Sequence, residues 1–178
     1  MTDSPGLSVG SRAPDVTAPL VDPDGTVSEA SLSTLYAERP VLLVFYTNDF
    51  TPDCIEEWCS FRDYDWFTTG ETVRIVGVSK SRVSTHRRFI DHLSLSFPLY
   101  ADTDLVIADA YDVVYRVFKL VKRAHRSCFL GDTDGIIRYR WLADHPIDPT
   151  RETPPVDEIH EAIVHELGEP DPKTFGFG

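Results

Sequence analysis

An unbroken run of apolar residues, PVLLVFY at 40–46, sets the first limit on the fold. A strand with one face in water alternates apolar and polar residues, so an unbroken run predicts a strand covered on both faces of its sheet. A second run, VRIVGVS at 73–79, has the same character. Helices must then lie on both sides of the sheet, and the pattern predicts an α/β fold.

Turn residues predict two hairpins. The segment VTAPLVDPDGTVSEASL at 16–32 predicts a strand, a turn at DPDG and a second strand that leads into a helix. An Asp-Gly turn between 127–131 and 135–141 predicts the second hairpin. A short extended segment is expected at 97–101.

Helical periodicity completes the predicted order of elements. We expect helices at 81–92, 104–111 and 156–167. A further helix is expected from Thr51 to Trp66, and four prolines predict a loop at 145–155. The chain is therefore predicted to be one domain at residues 1–168 with a flexible tail at 169–178.

Composition narrows the classes of function. The chain has 29 acidic and 17 basic residues, for a formal charge of -12, which disfavours generic nucleic-acid binding. A composition with few lysines and many aspartates is typical of proteins from salt-loving organisms. No apolar stretch approaches the roughly 18 residues of a membrane helix. The N-terminal residues show no export signal, so we expect a cytoplasmic protein without a membrane partner.

Cys54 lies in the first turn of the helix that follows the apolar run. Free N–H groups and the helix dipole favour the thiolate there, and the thiolate is the reactive form of cysteine. The hydroxyl of Thr51 can donate to that sulfur, or to an oxygen-bearing substrate beside it. Such a sulfur can attack a peroxide and become a sulfenic acid. The alternative is an inert buried thiol.

Cys59, five residues further on, gives a sulfenic acid a partner for condensation to a disulfide. Residues five apart on an intact α-helix have Cα atoms roughly 8–9 Å apart, whereas disulfides need less than about 7 Å. If this disulfide forms, the start of the helix must unwind. Otherwise Cys59 is a core-facing residue, and Cys128 is either a small core residue or a second candidate for resolution. No spacing of Cys and His predicts a metal site.

The run FYTNDFTPDCIEEWCSFRD resembles the active site of the peroxiredoxins (alkyl hydroperoxide reductase / thiol-specific antioxidant family), in the subgroup similar to bacterioferritin comigratory protein. The matching positions are Thr51, Pro52, Cys54, Glu57, Cys59, Phe61, Arg62 and Asp63. Three further blocks resemble the family: VGSRAPDVTAPLVDPDG, IVGVSKSRVSTHRRFIDHLSLSFPLYADTD and RSCFLGDTDGIIRYRW. Together the resemblance covers roughly residues 8–167.

The resemblance implies a thioredoxin-like fold, with a central mixed sheet flanked by helices on both faces. It implies a peroxidase without metal or organic cofactor, with Cys54 as the peroxidatic cysteine and Cys59 as the resolving one. Arg126 maps to the family's catalytic arginine, and Glu57 can hold it by a bidentate pair. A thioredoxin-like protein is the expected reductant, a peroxide the substrate, and a monomer or homodimer the expected state.

Two departures from the family pattern leave other functions open. Thr47 stands where the family has a proline that covers the cysteine, and Asp53 where it has a glycine. A non-catalytic redox sensor is therefore an alternative. A thiol-disulfide oxidoreductase on the same fold is another, although Cys54 and Cys59 lack the two-residue spacing typical of that class. The basic stretch RVFKLVKRAHR at 116–126 is predicted to be a solvated loop, although it can also steer peroxide anions or an acidic reductase.

Overall fold

The computed structural model describes residues 5–64, 72–143 and 154–167. The strands are β1 (Thr17–Val21), β2 (Val27–Ser31), β3 (Val41–Phe45), β4 (Arg74–Ser79), β5 (Leu99–Ala101), β6 (Val114–Val117), β7 (Val121–Ala124), β8 (Ser127–Gly131) and β9 (Ile137–Leu142). The helices are α1 (Leu32–Glu38), α2 (Pro52–Asp63), α3 (Val83–Leu93), α4 (Val106–Ala110) and α5 (Val156–Leu167).

The main sheet is mixed and has the strand order β2-β1-β5-β4-β3-β8-β9. Strands β3, β4 and β5 run parallel, while β8 and β9 continue the sheet beyond β3 in antiparallel pairs. On the far side, β1 pairs antiparallel with both β5 and β2. The predicted apolar run thus lies between two other strands, where both of its edges are hydrogen-bonded.

Strand β3 divides its side chains between two hydrophobic cores. Leu42 and Val44 pack with α2, α3 and α5, whereas Val41, Leu43 and Phe45 pack with α1 and α4. All five are fully buried. Burying each such side chain stabilises the fold by about 1.5–3 kcal/mol, so β3 holds both helix layers on the sheet. The predicted α/β class, with helices on both faces, is confirmed.

Most predicted elements lie within two residues of their expected ends. The Asp-Gly hairpin forms between β8 and β9, with the amide of Gly135 donating to the carbonyl of Asp132 at 2.9 Å. Helix α2 ends at Asp63, and the predicted end at Trp66 lies outside the described residues. The tail at 169–178 and most of the loop at 145–155 also lie outside them, so the domain boundary stays a prediction.

The basic stretch at 116–126 is not the loop that was predicted. Its residues belong largely to a hairpin of β6 and β7, which forms a separate two-stranded sheet. The turn has left-handed backbone at Phe118 (φ 50°) and Lys119 (φ 59°), and the amide of Leu120 donates to the carbonyl of Val117 at 3.1 Å. Such turns normally take Asn or Gly, and the lack of either made the prediction wrong.

Gly77 in β4 determines how closely α2 approaches the sheet. A Cβ at this position would lie 2.5 Å from Cζ2 of Trp58 and 2.5 Å from Cδ2 of Leu99. The fully buried indole of Trp58 therefore occupies the space that any other residue at position 77 would need. Because Trp58 is one turn beyond Cys54 on α2, this contact helps to set the position of the helix that carries the cysteine.

Gly77→Ala should lower the free energy of unfolding by about 1–3 kcal/mol, because the added methyl group overpacks this contact. Urea unfolding measures the change. Trp58→Phe, with its smaller ring, should reduce the cost of the alanine when the two substitutions are combined. If the two substitutions change the free energy of unfolding by strictly additive amounts, the contact with Trp58 is not the reason for glycine at position 77.

Candidate active site

Cys54 is the third residue of α2 and is fully buried. Residues 46–51 connect the end of β3 to this helix, with Thr51 at the N-cap position and Pro52 as the first helical residue. The first intrahelical hydrogen bond runs from the amide of Ile55 to the carbonyl of Thr51 at 2.9 Å. The preceding helical amides lack such bonds, so the sulfur lies at the positive end of the helix dipole.

Arg126 brings a positive charge to this sulfur. Its Nη2 donates to Sγ of Cys54 at 3.2 Å, and the guanidinium is almost completely buried. The sheet register explains the meeting, because Phe45 at the end of β3 pairs with Ser127, the residue after Arg126. A cation in contact with sulfur favours the thiolate.

Glu57 holds the other side of the same guanidinium. Nη1 of Arg126 donates to Oε2 of Glu57 at 2.5 Å, while Oε1 has no hydrogen-bond partner among the described residues. The predicted pair is therefore present, formed through one carboxylate oxygen rather than two. Burial raises the pKa of Glu57 to about 8, although the charge and hydrogen bond of Arg126 act to lower it.

The hydroxyl beside the sulfur belongs to Thr47, not to Thr51. Oγ1 of Thr47 lies 3.4 Å from Sγ of Cys54, within hydrogen-bond distance. Oγ1 of Thr51 instead donates to the carbonyl of Asn48 at 3.3 Å. The structure therefore places Thr47, rather than the expected Thr51, within hydrogen-bond distance of the sulfur. The residue that replaces the family proline supplies a polar contact in its place.

The three cysteines are free thiols in different surroundings. Cys59 is half-buried on the same unbroken helix as Cys54, so the geometric condition on a Cys54–Cys59 disulfide applies to this structure. Cys128 is fully buried in β8, and burial together with the charge of Glu57 raises the pKa of its thiol well above the usual value. That environment favours the interpretation of Cys128 as a small core residue.

A buried polar network below the loop was missed by the sequence analysis. The hydroxyl of Tyr46 donates to Oδ1 of Asp49 at 2.6 Å, and Oδ2 of Asp49 lies 2.7 Å from Nδ1 of His86. Nε2 of His86 lies 3.0 Å from the carbonyl oxygen of Tyr100. These contacts tie residues 46–51 to α3 and β5. His86 lies in the block IVGVSKSRVSTHRRFIDHLSLSFPLYADTD that resembles the family, but no neighbouring residue indicated that Asp49 would be its partner.

A cavity of about 200 Å³ lies next to the residues that contact the sulfur, while Cys54 itself is buried behind its wall. Thr47 and Arg126, the side chains whose polar atoms contact Cys54, are part of its wall. Thr51 lines it as well. A small molecule in this cavity would therefore meet the hydroxyl and guanidinium groups that surround the sulfur.

The described residues contain no group of three or more Cys, His, Asp or Glu side chains arranged to hold a metal ion. Within the same part of the chain, no helix has both the length and the apolar character that membrane crossing needs.

Comparison with known proteins identifies the family. The sequence pattern of the AhpC/TSA family matches residues 9–140. The chain therefore belongs to the AhpC/TSA family, and the resemblance to peroxiredoxins is confirmed. Among its relatives, the putative peroxiredoxin bcp of Coxiella burnetii is 33% identical over 138 residues, 76% of this chain and 88% of that protein. Peroxiredoxin Bcp of Bacillus subtilis is 32% identical over 143 residues, 76% of this chain and 85% of that protein.

Solved structures confirm the thioredoxin-like fold. Peroxidoxin BcpB from Mycobacterium tuberculosis has a TM-score of 0.73 at 24% identity, covering 89% of this chain and 97% of that one. The bacterioferritin comigratory protein of Xanthomonas campestris has a TM-score of 0.72 at 23% identity, covering 92% and 99%. The predicted enzyme class, a peroxiredoxin, follows from the family.

Glu57→Gln tests whether burial raises the pKa of Glu57 despite its contact with Arg126. Because burial raises its pKa from 4.5 to about 8, the folded state binds more protons than the unfolded state between these values. The free energy of unfolding should therefore fall as pH rises through that window, by up to about 1.4 kcal/mol per pH unit. Glutamine cannot ionise, so the variant should lack this slope in urea unfolding across the window.

The exposed neighbour Glu56 supplies the matched control, since Glu56→Gln removes the same charge from the same helix. This control should keep the slope of the unsubstituted protein. The expectation would be contradicted if the free energy of unfolding of the Glu57→Gln variant had the same pH dependence as that of the unsubstituted protein.

Proposed function

We propose that this peroxiredoxin reduces hydroperoxides with Cys54 as the attacking thiolate. The observation that carries the proposal is the contact of 3.2 Å between Nη2 of Arg126 and the buried Sγ at the start of α2. Reactive cysteines are typically found beside a cation and at the start of a helix, as this sulfur is. The cavity lined by Thr47 and Arg126 gives a small peroxide a place next to the two groups that contact the sulfur.

In the first step, the thiolate attacks the terminal oxygen of the hydroperoxide. An S–O bond forms as the O–O bond breaks, so sulfur is oxidised to sulfenic acid and the peroxide is reduced by two electrons. The departing oxygen takes a proton and leaves as water or an alcohol. Arg126 and the hydroxyl of Thr47 can stabilise the developing negative charge. Thr51 lines the cavity, and its hydroxyl can donate to substrate oxygen once it leaves the carbonyl of Asn48.

In the second step, the sulfenic acid of Cys54 condenses with the thiol of Cys59, which releases water and forms a disulfide. Helix α2 is continuous through both positions, so its first turns must unwind before the sulfurs meet. Unwinding also separates Glu57 from Arg126. A dithiol protein of the thioredoxin type is the proposed reductant of the disulfide, which restores both thiols.

The relatives support this chemistry at the level of the family. The Xanthomonas campestris structure is described by its alkyl peroxide reduction activity, and the curated relatives are named as peroxiredoxins. The particular reductant, the monomer or homodimer and the cytoplasmic location stay predictions for this chain.

Serine substitutions separate the roles of the three cysteines. Cys54→Ser should abolish peroxide consumption in a coupled assay with a thioredoxin system, because the attacking sulfur is gone. Cys59→Ser should still consume about one equivalent of peroxide but should fail to turn over with the dithiol reductant. Cys128→Ser is the matched control and should keep turnover. Undiminished turnover by the Cys54→Ser variant would overturn the assignment.

A peroxide sensor is the second candidate, and the position of Thr47 is the observation that favours it. The family proline cannot offer a hydroxyl, whereas Oγ1 of Thr47 lies 3.4 Å from the sulfur. A site altered at this contact can react with peroxide at a rate suited to signalling rather than to detoxification.

Thr47→Val and Thr47→Pro distinguish the two candidates. A hydrogen bond to a charged group is worth about 1.5–3 kcal/mol, so removing the hydroxyl should slow oxidation of Cys54 by about tenfold or more. Stopped-flow fluorescence of the buried Trp58 can follow the reaction. If the peroxidase function is correct, both variants react more slowly. A Thr47→Pro variant that reacts faster than the unsubstituted protein would favour the sensor instead.

A further inference from the structure

We propose that the cavity beside Cys54 selects hydroperoxides that carry a carboxylate, through the cationic side chains of Lys80 and Arg123. This inference rests on the proposed peroxidase function and names the class of substrate for the same site. The starting point is the charge of the cavity wall. It includes three cations, Lys80, Arg123 and Arg126, against the single carboxylate of Asp53.

The charges of Lys80 and Arg123 are available to a ligand. Arg126 is engaged with Glu57 and Cys54, so its charge is largely committed to the sulfur. Neither Lys80 nor Arg123 forms an ion pair within the described parts of the chain. Two cations without acidic partners thus face the cavity in a protein whose formal charge is -12.

The fold brings these two cations to the cavity from different elements. Lys80 directly follows β4, which runs parallel to β3, so it lies at the same end of the sheet as residues 46–51. Arg123 lies on β7 opposite Tyr115, in the hairpin that precedes Arg126. Residues 116–126 contain five of the chain's 17 Lys and Arg residues and no acidic residue. The positive charge is therefore concentrated on one side of the site.

The cations in the cavity wall would distinguish a peroxide that carries a carboxylate from a neutral one. Hydrogen peroxide is neutral and gains little from a distant cation, whereas a carboxylate at about 6 Å gains roughly threefold in affinity from each cation even in water. Clefts with low-dielectric walls strengthen this effect. The volume of about 200 Å³ exceeds the about 10–15 Å³ that one water needs, which leaves room for a short carbon chain between the two groups.

The chemistry of the sulfur is unchanged by this recognition. The terminal peroxide oxygen is transferred to Cys54, the O–O bond breaks, and the remaining oxygen takes a proton. The product is a hydroxy acid whose carboxylate has not reacted. Lys80 and Arg123 act as specificity-determining residues, since they bind a group that is remote from the reacting atoms.

The test compares two matched probes, a hydroperoxide of the tert-butyl type that carries a carboxylate and its methyl ester. The second-order rate constant for oxidation of Cys54 is measured for each at fixed pH and low ionic strength, without reductant. The expected ratio of acid to ester is about tenfold. Lys80→Gln and Arg123→Gln should each lower the ratio about threefold, and the double variant should bring it close to one.

Two further variants make the test specific. Lys122→Gln removes the same charge from the neighbouring position of β7, whose side chain points to the opposite face, and should leave the ratio unchanged. Asp53→Asn removes the carboxylate of the cavity wall and should raise the ratio. Both controls separate a local contact from an effect of net charge.

The outcomes are distinguishable from those of the proposed function. A ratio that stays the same in the Lys80→Gln and Arg123→Gln variants overturns the inference, while oxidation of Cys54 by both probes leaves the peroxidase function intact. The inference is also overturned if those variants keep the ratio but raise the KM for the dithiol protein, because the cations then serve the reductant. Failure of both probes to oxidise Cys54 overturns the proposed function itself.

Discussion

The site depends on the buried guanidinium of Arg126. It is shared between Sγ of Cys54 and the carboxylate of Glu57, both on α2, while Arg126 itself immediately precedes β8. A guanidinium this deeply buried is costly unless its N–H groups are hydrogen-bonded, and Cys54 and Glu57 supply those partners. The start of α2 is therefore held against the sheet by charge as well as by packing. In the proposed mechanism, oxidation of the sulfur changes one of these two partners, so the start of α2 would rearrange only after Cys54 has reacted.

Packing and hydrogen bonding hold the rest of the site around that contact. One turn beyond Cys54 on the same face of α2, Trp58 fills the space above Gly77, so the helix cannot move away from β4 without losing buried contacts. Below residues 46–51, the network of Asp49 and His86 ties the segment to α3. Among the described residues, the wall of the adjacent cavity contains three cations and one carboxylate. These contacts hold the reduced site in place, and the proposed disulfide requires that the start of α2 give up some of them.

The sequence predicted the sheet and the helix start because their signals are local. The apolar run at 40–46 and the Pro-containing start of α2 each follow from a few neighbouring residues, and Cys54 is placed by them. Contacts between segments that are far apart in the sequence were harder to predict. The hairpin of β6 and β7 lacks the usual turn residues, and the pairing of Asp49 with His86 joins two segments far apart in the chain. Which threonine hydroxyl reaches the sulfur depends on side-chain directions in one short loop, so Thr47 was noticed as a departure but not as a contact.

Peptide mass spectrometry after one equivalent of peroxide tests the central claim most directly. The reduced full-length protein is exposed to hydrogen peroxide without reductant, alkylated and digested under conditions that preserve disulfides. The account predicts a single new species, an intramolecular disulfide between Cys54 and Cys59, with Cys128 alkylated only after unfolding. An unmodified Cys54 beside consumed peroxide, or a disulfide that joins Cys54 to Cys128, would contradict it.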